Sequence, residues 1–404
     1  QTLLHYYKSW CLIRLGKTAE AQIAIATAEK EPADYCFPNA LEAIEALQCV
    51  VDFAGKAPKA LYYLGNLWYD KRRYPTAIAA WERSSREDET FPTVWRNLSL
   101  AYFNKMNRPD EAVALLEKAF RLDHTDARVL MELDQLYKRL NRPHIERLCF
   151  LEQHIDIVMT RDDLYLEYVT LLNQTGQYRE AIRRIDQRKF HPWEGGEGKV
   201  RGQYQLARLE LAKELINRKK YDDALALIDE CYIYPTHLGE GKLPGAQEND
   251  FNYYKAYILQ QQGRPEEAHS LFVKASSGNS QPAAAMYYND QKPDKIFYQG
   301  LAYRKLGEEE KARSRFNQLI TYGEEHLFDR FKMDYFAVSL PDLLIWEDDM
   351  DKKNRIHCNY LMALGHLGLG NRTKAEHFFD IAASMDNNHQ GVQIHRKLMN
   401  TILS

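Results

Sequence analysis

The sequence predicts an all-α protein built as a row of helix hairpins, on three observations. At 404 residues it exceeds the ~250–300 at which a single core stops growing, so it divides into domains or repeats. One phrase recurs: an apolar helix, a Gly or Asn turn, a polar pair, an alanine and a second amphipathic helix. The anchor alanines, Ala21, Ala77, Ala112, Ala181, Ala224, Ala268, Ala312 and Ala375, recur at the intervals of a hairpin unit with loops of variable length.

The copies read LGKTAEAQIAI, KRRYPTAIAAW, NRPDEAVALLEKAF, TGQYREAIRRI, RKKYDDALALI, QGRPEEAHSLF, LGEEEKARSRF and LGNRTKAEHFF. Small residues (Gly65, Ala77, Ala181, Ala224) stand where paired helices approach closest. Large ones (Trp68, Tyr102, Phe316) are expected to fill the adjacent holes, each worth ~1.5–3 kcal/mol when buried. Gly16, Gly176, Gly263 and Gly307 end first helices at the position that favours a left-handed residue. Pro75, Pro109 and Pro265 open second helices, where the missing N–H does no harm. A degenerate copy (Leu130, Leu133, Tyr137, Phe150) fills the gap between Ala112 and Ala181, and an extra helix is expected at about Asn39 to Phe53.

This pattern resembles the tetratricopeptide repeat, a helix-turn-helix unit of about 34 residues. Leu61, Leu64, Gly65, Trp68, Ala77 and Trp81 follow it closely, as do Trp95, Leu98, Ser99, Tyr102 and Ala112. The resemblance implies a right-handed superhelical solenoid of about nine helix pairs. Alanine spacing is 35 from Ala77 to Ala112, but 43, 44 and 44 from Ala181 to Ala312 and 63 from there to Ala375. The central units therefore carry insertions, which in a repeat array fall on one face. Four segments follow: residues 1–57, 58–188, 189–320 and 321–404, the last holding an aromatic stretch from Tyr322 to Trp346.

Composition narrows the function. Apolar residues make up 45% and charged residues 27%, as in folded proteins, and no apolar run approaches the ~20 residues of a membrane helix. Lys plus Arg (54) nearly balances Asp plus Glu (57), which argues against a nucleic-acid partner. Six scattered cysteines without a C-x-x-C pair read as small buried residues in a reducing, cytoplasmic compartment; neither metal nor cofactor is indicated. The chain opens inside an amphipathic pattern at Gln1, as a piece of a longer protein would.

Two insertions are copies of each other at an offset of 43: residues 190–200, FHPWEGGEGKV, and 233–243, IYPTHLGEGKL. The Gly-Lys in each is no phosphate loop, because the Gly five residues earlier and the following Ser or Thr are missing. Two readings stay open. In one, glycines make a tight reversal and the charges are solvated. In the other, His191, Trp193, Glu194, Glu197, Lys199, Glu240 and Lys242 form a ligand face, a Trp beside carboxylates being suited to a sugar. The third insertion adds Asn289 and Asp290.

Longer phrases (RKFHPWEGGEGKV, LGEGKLPGAQEND, AMYYNDQKPDKIFYQGLA, DYFAVSLPDLLIWEDD, HCNYLMALGHLGLG) resemble one bacterial family of large proteins. Its members carry an N-terminal β-rich domain of unknown function and a C-terminal tetratricopeptide region. The resemblance implies that this chain is the C-terminal part and suggests a carbohydrate context. By repeat register, Tyr62, Asn66, Tyr69, Arg96, Arg128 and Lys138 line a concave groove, with Tyr253 and Tyr257 further along; Tyr and Arg are typical peptide anchors. The acidic run from Glu347 to Asp351 fails EF-hand spacing. His357 and Cys358, adjacent on a helix, diverge too far to share a metal. Phe328, Phe331, Tyr335, Phe336 and Leu340 read as core. The expected function is a non-catalytic scaffold for a protein, a peptide or the β-rich domain; the alternative is loop residues contributed to a carbohydrate site.

Overall fold

The computed structural model describes residues 2–193, 195–284, 290–330 and 345–399. All regular structure among them is helical. Packing divides the chain into two units, Gln1–Leu140 with Leu344–Glu347, and Asn141–Leu343 with Asp348–Ser404.

Unit 1 holds α1 (Thr2–Arg14), α2 (Thr18–Lys30), α3 (Glu42–Ala54), α4 (Pro58–Asp70), α5 (Tyr74–Glu87), α6 (Pro92–Met106), α7 (Pro109–Leu122) and α8 (Ala127–Arg139). The expected extra helix is α3, starting three residues late. Unit 2 holds α9 (His144–Gln153), α10 (Ile155–Val158), α11 (Asp162–Gln174), α12 (Tyr178–Asp186), α13 (Lys199–Asn217) and α14 (Tyr221–Cys231). It continues with α15 (Asn249–Gln261), α16 (Pro265–Ser276), α17 (Pro293–Lys305), α18 (Glu309–His326), α19 (Met350–Gly368), α20 (Arg372–Met385) and α21 (Gln390–Leu398).

The reversals inside hairpins share one device. Gly16, Gly176, Gly263 and Gly307 adopt φ of +72°, +78°, +73° and +79°. The next amide in each turn reaches back to the first helix: Lys17 to Leu12, Gln177 to Leu172, Arg264 to Leu259 and Glu308 to Tyr303, at 2.8–2.9 Å. These are the closing bonds of a Schellman turn. Arg72 and Lys219 hold the same left-handed position without glycine. Pro109 and Pro265 start their helices, and Pro75 stands second in α5.

Close approach between paired helices explains the small residues. A Cβ on Gly65 would stand 2.2 Å from Trp81 Nε1, so the two helices touch there with the indole filling the gap. Trp81 is buried, whereas Trp68 and Tyr102, expected to fill such holes, are only half-buried. The anchoring aromatic comes from the second helix, which faces Gly65. In unit 2, Phe316 is fully buried and lies against Gly300 and Gly368, where a Cβ would meet its ring at 2.4 and 2.2 Å. The cysteine expectation needs correction: Cys231 and Cys358 are buried, but Cys36 and Cys49 are half-buried and Cys11 and Cys149 are exposed, where the solvent side of a helix places no packing demand on the residue. Phe328, read as core, is 83% exposed just beyond α18. Phe331, Tyr335, Phe336 and Leu340 lie outside the described residues.

Candidate functional site

In unit 1 the first helices α4, α6 and α8 join through one polar chain. Asn66 Oδ1 accepts from Trp81 Nε1 (3.1 Å) and Asn97 Nδ2 (2.9 Å), and Asn97 Oδ1 accepts from Arg96 (3.1 Å). Arg96 forks onto Glu132 at 2.7 and 2.6 Å, and Arg128 donates to the same carboxylate at 2.9 Å. Glu132 is fully buried. Two guanidinium groups offset the cost of burying it, as a desolvated carboxylate requires. Tyr62 is nearly buried, edge-on to Tyr63 and Phe91 at 5.2 and 4.9 Å. Tyr69 packs against Tyr74 and Trp81, and Lys138 is half-buried on α8. Asn66, Arg96 and Arg128 are thus brought together, with Glu132 at the centre.

The same face holds a short piece of main chain, Ile345–Glu347. The Asn104 carboxamide grips it twice: Nδ2 donates to Ile345 O (2.9 Å) and Oδ1 accepts from Glu347 N (3.0 Å). Arg139 Nη2 donates to Trp346 O at 3.0 Å. Trp346 is 2% exposed; its Nε1 donates to Glu132 O at 3.0 Å, and its ring meets Phe103 edge-on at 5.2 Å. Lys105 pairs with Glu347 and lies over the Tyr74 ring. Burial would lower the Lys105 ammonium, but the Glu347 carboxylate outweighs this and raises it.

In unit 2 the twin loops lie against each other. Phe190 N donates to His237 O (2.8 Å), and Gly239 abuts Phe190 O so closely that a Cβ would stand 2.9 Å away. Glu240, from the second loop, caps the helix that follows the first: its carboxylate accepts from Gly198 N (2.8 Å) and Arg201 N (3.3 Å). Lys242 pairs with Glu248 at 2.5 Å. His191 is exposed but tethered, its backbone N and Nδ1 lying 2.9 and 3.1 Å from Asp162 Oδ2. Burial alone would raise Asp162; hydrogen bonds from His191 and Arg188 hold it below the ordinary carboxylate range. Trp193 is half-buried, folded onto Gly196 of its own loop. Glu197 Oε1 accepts a long 3.4 Å bond from Gly195 N, and Lys199 is the first residue of α13. Asp290 O accepts from Gln247 (3.3 Å). Glu194 and Asn289 lie outside the described residues.

Residues 92–126, spanning α6 and α7, match a tetratricopeptide repeat family model, and residues 296–322, in α17 and α18, match a second. The chain carries a tetratricopeptide-repeat region. Several solved structures resemble it. YrrB, described as a TPR protein with an unusual peptide-binding site, is 15% identical over 46% of this chain and 91% of its own, with a TM-score of 0.35. A tetratricopeptide repeat protein from Parabacteroides merdae is 16% identical over 75% and 99%, with a TM-score of 0.29. Naa15/Naa10 bound to HypK-THB gives 12% over 88% and 63%, with a TM-score of 0.39. None of these scores reaches 0.5, and what those proteins bind stays with them.

Helices α9, α11, α12 and α13 of unit 2 are crossed by a C-terminal segment. The segment ending in α21 runs across them: Arg147 donates to Asn388 Oδ1 (2.7 Å), Gln174 to Asn388 O (2.8 Å), Gln203 to Gln390 (2.8 Å) and Lys397 to Tyr178 (3.2 Å). Beneath it lies a charged layer. Lys295 sits 2.5 Å from Asp250 and 3.4 Å from Asp294; desolvation would lower it, and the two carboxylates hold it raised. Tyr253, expected in the groove, is instead 6% exposed and packed between Phe272 and Tyr298, because the register places it toward the neighbouring hairpin. Tyr257 is half-buried near Lys305.

Sequence reasoning missed Phe103, Asn104, Arg139 and Trp346. A signal for the first three was present. Tyr69, Phe103 and Lys138 share one register position at spacings of 34 and 35, and Asp70, Asn104 and Arg139 share the next.

Proposed function

We propose that this chain is a non-catalytic interaction scaffold that holds a peptide by its main chain on the inner face of its unit 1 repeats. Tetratricopeptide repeats indicate protein or peptide partners. The observation that carries the reading is Asn104, whose carboxamide bonds a backbone C=O and the N–H two residues on. Such a grip reads main chain irrespective of side chains. The ligand is a segment of another protein, or of the β-rich domain that the family resemblance implies. The carbohydrate alternative draws on the twin loops; there Glu240, Lys242 and His191 already bond within unit 2, so peptide capture is preferred. Panning a random-peptide display library against the chain carrying Trp346→Ala, which empties this face, and against the same chain with Asn104→Ala added as the variant tests this. Enrichment that disappears in the variant is expected; no enrichment on either, or equal enrichment on both, would overturn it.

A further inference from the structure

We infer that the unit 1 site selects a tryptophan followed by an acidic residue, and that Ile345–Glu347 is its internal occupant. The inference rests on the peptide-capture reading and gives it a ligand chemistry. Three features of the occupied site set the selection. The central pocket takes a large flat side chain edge-on to Phe103, at 5.2 Å, and offers the Glu132 carbonyl to a buried N–H at 3.0 Å. Among side chains only tryptophan combines that apolar body with an obligatory N–H donor. Glu132 O is fixed in place because its side chain is locked by Arg96 and Arg128.

The next position faces Lys105, which pairs with Glu347. Because the Glu347 side chain is 57% exposed, this preference for acid is a modest, salt-screened one. Asn104 and Arg139 meet main-chain atoms of the segment, and those bonds do not depend on which side chains it carries. Affinity therefore resides in the buried indole and register in the carboxamide.

An occupant in the same chain competes at high effective concentration. A peptide in trans must displace it, so the intact protein binds such a ligand weakly until the internal segment is removed.

The test is a titration of the full chain with a fluorescein-labelled peptide, LLIWEDDM. Trp346→Ala should bind it at least about tenfold more tightly than the unaltered chain. Replacing the peptide's tryptophan with alanine should weaken binding by at least about tenfold. Replacing its glutamate should weaken binding about two- to fivefold, a difference lost at high salt. Adding Asn104→Ala should abolish the gain. Should Trp346→Ala fail to fold, Glu347→Lys loosens the occupant without opening the core and should shift affinity in the same direction.

Binding that is indifferent to the tryptophan would overturn this inference and leave peptide capture standing. Failure of every peptide on every folded variant would overturn both. A concentration-dependent dimer that Trp346→Ala abolishes would assign the site to a second copy and overturn the proposal.

Discussion

His395 shows how one side chain's environment becomes a property of the fold. Its Nδ1 lies 2.8 Å from Gly391 O and 3.0 Å from Tyr360 Oη, and its ring packs on Phe297 and Tyr298. Burial pushes its pKa down to about 4; the Asp294 carboxylate pulls the other way and Lys213 adds to the depression. In the unfolded chain the imidazole titrates near 6.5. Between these values the unfolded state holds a proton that the folded state refuses, so stability falls as pH falls, by about 1.4 kcal/mol per pH unit. His357, bonded to Ala283 O and also lowered to about 4 by burial, adds a second, parallel term. Denaturation midpoints compared at neutral and mildly acidic pH should show a smaller pH slope for His395→Asn than for the unaltered chain. Identical slopes would contradict the burial argument.

Between elements, the strongest lesson comes from the twin loops. Their likeness was legible, because both carry Gly-Glu-Gly-Lys at the repeat offset of 43. Their division of labour was not. Glu240 looks equivalent to Glu197 in sequence, yet Glu240 caps α13, where a carboxylate meets free N–H groups and the positive end of the helix dipole. That role depends on two loops meeting in space, which no local pattern encodes. Glu240→Ala should cost about 0.5–2 kcal/mol, read by chemical denaturation, with Glu240→Gln falling between. Equal stability of all three proteins would contradict the cap. The turn glycines were legible for the opposite reason: a left-handed φ is a local requirement, and Gly16, Gly176, Gly263 and Gly307 meet it.

Across the whole chain, the hairpins could be read and their occupants could not. Repeat spacing identifies first and second helices because every unit buries the same small and large positions. The segment ending in α21 joins residues far apart in sequence, such as Arg147 and Asn388. Trp346 reaches a carbonyl 214 residues away in sequence. The groove register found Asn66, Arg96 and Arg128 but stopped one position short of Asn104. The acidic run after Trp346, which fails as a calcium loop, is explained piecewise: Glu347 pairs with Lys105, Asp348 with Lys353, and Asp349 caps α19. At this scale the decisive feature is that unit 1 holds main chain through Asn104. Hydrogen exchange on the full chain, followed in a proteolytic fragment covering residues 345–349, tests it most directly. Slow exchange of the Glu347 amide is predicted in the unaltered protein, speeding up at least about tenfold in Asn104→Ala; a Glu347 amide that exchanges equally fast in both proteins would contradict it.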